Sequence, residues 1–335
     1  MRLGLVGWPS DTGVGMELRD AVRHLPATAV FYLDHPGKPP SSDFIGKTAG
    51  QGDLPRKMAE FIEQNKIDTI LSWETPGDWA FPKLWESMGV RWFCVVHWDW
   101  FAPKQMEAWK TARIIVPFDS AGLGLRMVYG LESTTLQVPV DTDRLPFRPR
   151  QKADRFVTVY GHGGPGDRRS IVQIIEAWGL MGKEAPPLTI RAQKAIKELS
   201  GPLPENVDMH FSNLPKASDL YAGADVAVLP SKYEGVGLSL IEAQACGLPV
   251  ITTEMEPMKD IAPDYLVSGE AGKIEIMQGH WVATCTADSG ALAQRVRGIS
   301  GLDISEASLT ARTRVQERYS WAVLKDRWVK HLEMA

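Results

Sequence analysis

Short apolar runs recur along this chain, and nearly every one is followed by a stretch with helical spacing. In the first half, Leu3 to Gly7, Ala27 to Leu33, Ile67 to Trp73, Val90 to His97, Arg113 to Val116 and Thr134 to Val138 read as strands. Residues 16–24, 54–65, 78–88, 104–111 and 119–129 read as the helices between them. Antiparallel hairpins do not need helices of this length. Strands separated by them predict a parallel sheet covered on both faces. Ligands of such sheets bind at the carboxyl ends of the strands, which puts Gly7–Gly15, Trp73–Glu74 and His97–Trp100 on one rim.

The alternation stops at residues 139–153, where Pro139, Pro146 and Pro149 sit among Arg144, Arg148 and Arg150, and then begins again. Phe156 to Tyr160, Leu188 to Arg191, Asn206 to Phe211, Asp225 to Leu229 and Pro249 to Thr252 read as strands, with a further strand near 272–276. Residues 168–179, 193–199, 216–223, 238–246, 289–298 and 305–318 read as helices, and Trp321 to Leu332 is amphipathic at helical spacing. A chain of 335 residues is long for one core. The reading is an α/β protein with two doubly wound domains, 1–150 and 151–318, and a terminal helix within 319–335.

Composition narrows the class. Hydrophobic residues make up 44% and charged residues 23%, with a net charge of −4, so no polyanion partner is called for. The three cysteines, Cys94, Cys246 and Cys285, lie far apart, which argues against a disulfide framework or a zinc site and for a reducing compartment. No run approaches the ~18 apolar residues of a membrane span, and the opening apolar run is too short for a signal peptide. The expectation is a cytoplasmic protein with no integral membrane segment. Many of the twelve tryptophans fall before residue 110 and read as core fillers, while Trp98 and Trp100 are candidates for an aromatic wall beside a ring-shaped ligand.

The most informative stretch is Asp225-Val-Ala-Val-Leu-Pro230-Ser231-Lys-Tyr-Glu234-Gly235-Val236-Gly237-Leu238-Ser-Leu-Ile-Glu242-Ala-Gln-Ala-Cys-Gly247-Leu-Pro249-Val. A buried strand ends, a glycine-bearing turn follows, and a helix opens. Gly235 and Gly237 permit left-handed backbone and a close approach to a ligand. The helix start, with its free N–H groups, is an anion site suited to a diphosphate. Glu234 before the helix and Glu242 within it place carboxylates on either side, and carboxylates accept from diols. A nucleotide sugar has that layout, with phosphates between a ribose and a hexose or pentose.

This segment resembles the retaining GT-B glycosyltransferases of family 4, also called glycosyl transferases group 1. It matches their two glutamates at the E-x7-E spacing, inside E-G-x-G-x-x-x-x-E-A-x-A-C-G-x-P-V. Weaker matches are Val138-Pro-Val140-Asp141-Thr142-Asp143, the strand ending at His97, and Tyr319-Ser-Trp321 before the last helix. The resemblance implies two facing Rossmann-like domains, with the acceptor on the first, the donor on the second and the terminal helix crossing back to the first. It implies a retaining transfer of a sugar from a nucleotide-diphosphate sugar to a hydroxyl acceptor, with no cofactor and no metal. Carried over, Glu234 contacts donor-sugar hydroxyls, Glu242 binds the ribose, and Val236, Gly237 and Leu238 face the sugar and phosphates. His97 positions the donor sugar through hydrogen bonds.

One departure concerns the loop that opens the second domain. The family has an arginine and then a lysine that grip the diphosphate. This chain has Gly161-His162-Gly163-Gly164-Pro165-Gly166-Asp167-Arg168-Arg169-Ser170. His162 stands in the arginine's place and Arg168 or Arg169 near the lysine's, with Arg169 preferred by alignment. Arg191, ending the next strand, is a further candidate for the phosphates. On the first domain Asp11, Gly13, Glu74 and Trp98 are the candidate acceptor contacts.

The glycine-rich loop also resembles, more loosely, that of phage-encoded glycosyltransferases, some of which modify hydroxymethylated DNA bases. The acceptor thus stays open among a glycan, a small molecule and a modified DNA base. A GT-B nucleotide-sugar epimerase and a non-catalytic nucleotide-sugar-binding subunit are the rival readings.

Overall fold

A computed structural model describes residues 1–34, 44, 46–50, 52–212, 214 and 216–334. The chain divides into two units. The first comprises Met1–Pro139, Glu275–His280 and Trp321–Ala335, and the second Val140–Ile274 and Trp281–Ser320.

In the first unit the strands are β1 (Leu3–Gly7), β2 (Ala27–Tyr32), β3 (Thr69–Trp73), β4 (Arg91–Val95), β5 (Ala112–Val116) and β6 (Ser133–Thr135). The helices are α1 (Gly13–His24), α2 (Leu54–Asn65), α3 (Phe81–Ser87), the single turn α4 (Met106–Trp109) and α5 (Asp119–Gly124), which runs on as a wider turn through Tyr129. All six strands are parallel, in the order β2-β1-β3-β4-β5-β6. The order reverses direction between β1 and β3, and their carboxyl ends flank the crevice there. α1 forms because Val14, Leu18 and Ala21 recur at helical spacing and are buried; Glu17 and Asp20 are buried with them.

Tryptophans fill this unit as the sequence indicates. Trp85, Trp92 and Trp109 are buried, and Trp92 stacks on Trp109 at 5.6 Å. Each such ring removes about 200 Å² from water, roughly 5 kcal/mol of gross transfer free energy.

The second unit begins a second parallel sheet: β7 (Phe156–Gly161), β8 (Leu188–Ala192), β9 (Val207–Phe211), β10 (Val226–Val228), β11 (Val250–Thr253) and β12 (Tyr265–Val267), in the order β12-β11-β10-β7-β8-β9. Its helices are α6 (Ile171–Met181), α7 (Leu238–Ala245), the short α8 (Met258–Ile261), α9 (Ser289–Ile299) and α10 (Ser305–Arg318). The direction of the order reverses between β7 and β10. α11 (Trp321–Met334) groups with the first unit, where Trp328 Nε1 donates to Gln137 O at 3.0 Å.

Three features differ from the sequence reading. The division falls at residue 139 instead of 150, because the connector is tied into the second unit: Val140 N donates to Tyr319 O, Arg148 N to Cys246 O and Arg150 N to Ser308 Oγ. Residues 193–199 form bends and turns instead of a helix. Ile196 is the one buried residue among them, and a segment this short does not hold a helix without more packing. Finally, β13 (Gly269–Met277) and β14 (His280–Ala287) pair as a two-stranded sheet where one strand was expected. β13 is exposed along most of its length, so it carries no inward-outward alternation for a sequence reading to detect.

Candidate donor and acceptor sites

The loop after β7 and the turn after β10 meet at the switch point of the second sheet. Lys232 N donates to Arg168 O at 2.8 Å, Tyr233 Oη to Pro165 O at 2.9 Å and Lys232 Nζ to Gly166 O at 3.0 Å. From behind, Thr253 Oγ1 donates to Ser231 O at 2.6 Å and fixes the turn to β11.

At the front of this crevice Arg169 and Glu234 form an ion pair, with side-chain exposures of 13% and 3%. The Arg169 guanidinium also reaches Ser231 Oγ at 3.1 Å and Ser239 Oγ at 3.3 Å, and Ser231 Oγ donates to Glu234 at 2.8 Å. Burial pushes the Glu234 carboxyl up, but Arg169 and Arg168 together with the Ser231 hydrogen bond hold it below its usual value. Glu234 is therefore an ionised acceptor. Of the two arginines the sequence left open, Arg169 lies on the glutamate. The Arg168 guanidinium lies 5.9 Å from the centre of the Tyr233 ring.

α7 opens on Gly237, which has φ +77° and no capping side chain. A Cβ there would stand 2.7 Å from Ile261 Cδ1. Gly235, expected to share this conformation, is buried two residues before Gly237 in the same turn. Val236 is buried and Leu238 half-buried in the same turn. Glu242 is 8% exposed, and Tyr221, itself fully buried, places its hydroxyl 3.1 Å from Glu242 Oε2 and 3.2 Å from Ser239 O. Burial and the Glu242 carboxylate keep the Tyr221 hydroxyl protonated, so it donates. Tyr221 is a neighbour of this candidate site that the sequence reading did not name. A tyrosine in a run such as Asp219-Leu-Tyr221-Ala looks like ordinary core.

The start of α6 is closed. Asp167 accepts from Ile171 N at 2.9 Å and Val172 N at 3.2 Å, occupying the N–H groups an anion would use. A diphosphate in this crevice thus has the uncapped start of α7 and the nearby cations, not the start of α6. His162 is exposed in the loop, Gly163 has φ +69°, and Arg191 lies one residue before the end of β8, on the side of β7 away from β10.

In the first unit the crevice between β1 and β3 holds a second charged cluster. Glu74 follows β3 with φ +61°, a left-handed conformation that is strained for a non-glycine residue. His97 follows β4 and is 6% exposed. Its Nδ1 lies 3.2 Å from Glu74 Oε1 and its Nε2 3.1 Å from Glu17 Oε1. Burial disfavours the charged ring, yet Glu17 and Glu74 offset this and hold its pKa well above the usual value. Both ring nitrogens of His97 thus face carboxylates, whereas the sequence reading expected the ring to bond hydroxyls of the donor sugar.

Asp11 pairs with Arg19 at 3.3 Å, and Gly13 begins α1. The same loop is pulled tight at Gly15, where a Cβ would collide with Ser10 O at 1.9 Å. Trp98 packs edge-on against His280 at 4.5 Å and lies against Gly124, so it is a packing residue more than an open wall. Among the described residues no group of three His, Cys, Asp or Glu side chains has the geometry of a metal site.

The family of glycosyl transferases group 1 matches residues 191–297. The O-antigen chain mannosyltransferase B of Escherichia coli is 30% identical over 81 residues, covering 24% of this chain and 21% of that protein. The stretches shared with the curated relatives span about a tenth to a fifth of those proteins' own lengths. A glycosyltransferase from Rickettsia africae superposes with a TM-score of 0.71 at 12% identity, over 99% of this chain and 98% of that one. Anabaena Alr3699/HepE in complex with UDP does so with a TM-score of 0.71 at 12% identity over the full length of both. The chain has the GT-B fold, and its residues 191–297 match the glycosyl transferases group 1 family.

Proposed function

We propose that the chain is a glycosyltransferase that moves a sugar from a nucleotide-diphosphate sugar to a hydroxyl acceptor, with retention of configuration and without a metal. The observation that carries this reading is the pair of oriented carboxylates on either side of one uncapped helix start: Glu234 held by Arg169, and Glu242 held by Tyr221. In this reading Glu242 accepts from the ribose diol and Glu234 from hydroxyls of the donor sugar. The diphosphate lies over the Gly237 turn, where the α7 backbone and Arg169 stabilise the charge that develops as the sugar leaves. When the donor takes Glu234, Arg169 exchanges a carboxylate for a phosphate. Arg168, His162 and Arg191 are secondary candidates for the phosphates. Proteins with this fold, such as Anabaena Alr3699/HepE, are known in complex with UDP and with UDP-glucose, which favours a uridine nucleotide as the first donor to try.

The acceptor contacts are assigned to the first unit, at Glu74 and the Ser10–Gly15 loop. The test is turnover. The purified chain is incubated with UDP-, GDP-, ADP- and TDP-sugars, and release of the nucleoside diphosphate is followed. Release from one nucleotide class that is accelerated by a hydroxyl acceptor supports a transferase, release that no acceptor accelerates is the result expected of a hydrolysing epimerase, and binding without release that of a non-catalytic subunit.

A further inference from the structure

Glu17 has no part in the reading so far, yet it is among the most enclosed charges of the first unit. It sits on the buried face of α1, its side chain is 1% exposed, and it meets the His97 ring edge at Nε2. On the opposite edge Nδ1 meets Glu74, whose side chain is 15% exposed. A neutral imidazole carries one N–H and can donate to one carboxylate only. Where both carboxylates are ionised the ring needs both N–H groups, and the two-sided geometry is that of an imidazolium bridging an enclosed carboxylate to one at the crevice. Burial also pushes the Glu17 carboxyl up, and Glu17 and Glu74 raise the His97 pKa well above its usual value, so the groups titrate as a coupled set. The charged groups facing this pair are Glu17 from α1, Glu74 from the end of β3 and Asp99 from the turn after β4.

We propose that Glu17 is a positioning residue that acts through His97 to hold Glu74 as a fixed, ionised carboxylate at the β1/β3 switch point, where Glu74 takes a hydroxyl of the substrate. The strained backbone of Glu74 fits this arrangement, since a left-handed glutamate persists only where its surroundings hold it. His97 donates to Glu74 at one nitrogen and is oriented by Glu17 at the other, so the ring cannot turn. The role given to Glu74 rests on the transferase reading; the protonation of His97 does not.

The experiment is a titration of the full-length chain, labelled with nitrogen-15 in its imidazole rings, with the resonances of His97 identified by their loss in His97→Asn. In the wild type both ring nitrogens carry protons at neutral pH, and the midpoint lies well above the ordinary value of ~6.5. Glu17→Gln removes a charge on the ring, and the midpoint falls by about one pH unit or more. Glu17→Asp, which keeps the charge, restores it at least in part. The rate of nucleoside diphosphate release from the nucleotide sugar the wild type consumes falls at alkaline pH, and in Glu17→Gln that alkaline limb moves down with the midpoint. A purely structural role for Glu17 would leave the limb where it was.

Three results overturn the proposal: a singly protonated His97 at neutral pH in the wild type, a midpoint that Glu17→Gln does not move, or a moved midpoint with an unmoved rate profile. The first needs no variant, so misfolding of Glu17→Gln does not shield the idea. If no nucleotide sugar is consumed, the transferase reading and the role of Glu74 fall together, while the titration still decides the coupling of Glu17 to His97.

Discussion

Replacing Arg169 by methionine takes the charge from the Arg169–Glu234 pair and keeps much of the side-chain volume. Glu234 is then left 5% exposed, with Ser231 as its remaining close partner and Arg168 as the remaining nearby cation. Breaking a buried pair by removing one member costs about 3–5 kcal/mol. The Ser231 hydrogen bond survives and the Arg169 side chain is 13% exposed, which brings the expected loss to about 2–4 kcal/mol at neutral pH.

The pH dependence of that loss follows from the sign of the shift. In the wild type the Glu234 pKa is lowered, so its contribution is present above the ordinary carboxyl range and is lost as pH falls through the lowered value. In Arg169→Met burial dominates and the pKa rises, so the carboxyl takes up a proton at higher pH. The deficit relative to wild type is largest at neutral pH and shrinks as pH falls through the raised value. The double variant Arg169→Met with Glu234→Gln removes the stranded charge and recovers most of the loss. The assay is urea unfolding of the full chain, with the transition of the second unit read from the buried Trp178. A single variant within about 0.5 kcal/mol of wild type refutes the reasoning, as does a double variant whose loss equals the sum of the two single losses.

Two further outcomes are expected in the second unit. Tyr221→Phe removes the hydroxyl that lies 3.1 Å from Glu242; hydrogen bonds to charged groups are worth about 1.5–3 kcal/mol, so nucleoside diphosphate affinity measured by calorimetry falls roughly ten- to hundredfold with little change in fold. Gly237→Ala forces a Cβ into a left-handed residue and to 2.7 Å from Ile261 Cδ1, so it costs about 1–2 kcal/mol or more in denaturant unfolding and removes nucleotide binding.

The parallel sheets were legible because their central strands are buried on both faces and read as near-continuous apolar runs, as in Leu3–Gly7 and Phe156–Gly161. The donor site was legible for a different reason: Glu234, Gly237 and Glu242 lie within one turn and one helix, so their spacing along the chain carries their spacing in space. Glu17, His97 and Glu74 come from three separate stretches, after or beyond three different strands, and only the strand order brings them together. No local pattern marks Glu17 as anything other than a helix residue. The pairing of Arg169 with Glu234 depends likewise on β7 and β10 being neighbours, which the chain order does not state. The closed start of α6 follows from an aspartate whose capping of two N–H groups is a matter of loop geometry.

The central claim is that the α7 turn of the second unit holds a nucleotide sugar with Glu242 on the ribose. Its most direct measurement is a calorimetric titration of the wild type and Glu242→Ala with the nucleotide sugar that the wild type consumes, alongside the matching 2′,3′-dideoxyribonucleotide. The account predicts that Glu242→Ala weakens the ribose form by about 1.5–3 kcal/mol and the dideoxy form hardly at all, because only the ribose offers the carboxylate a diol. Equal weakening of both ligands, or none for either, would contradict it.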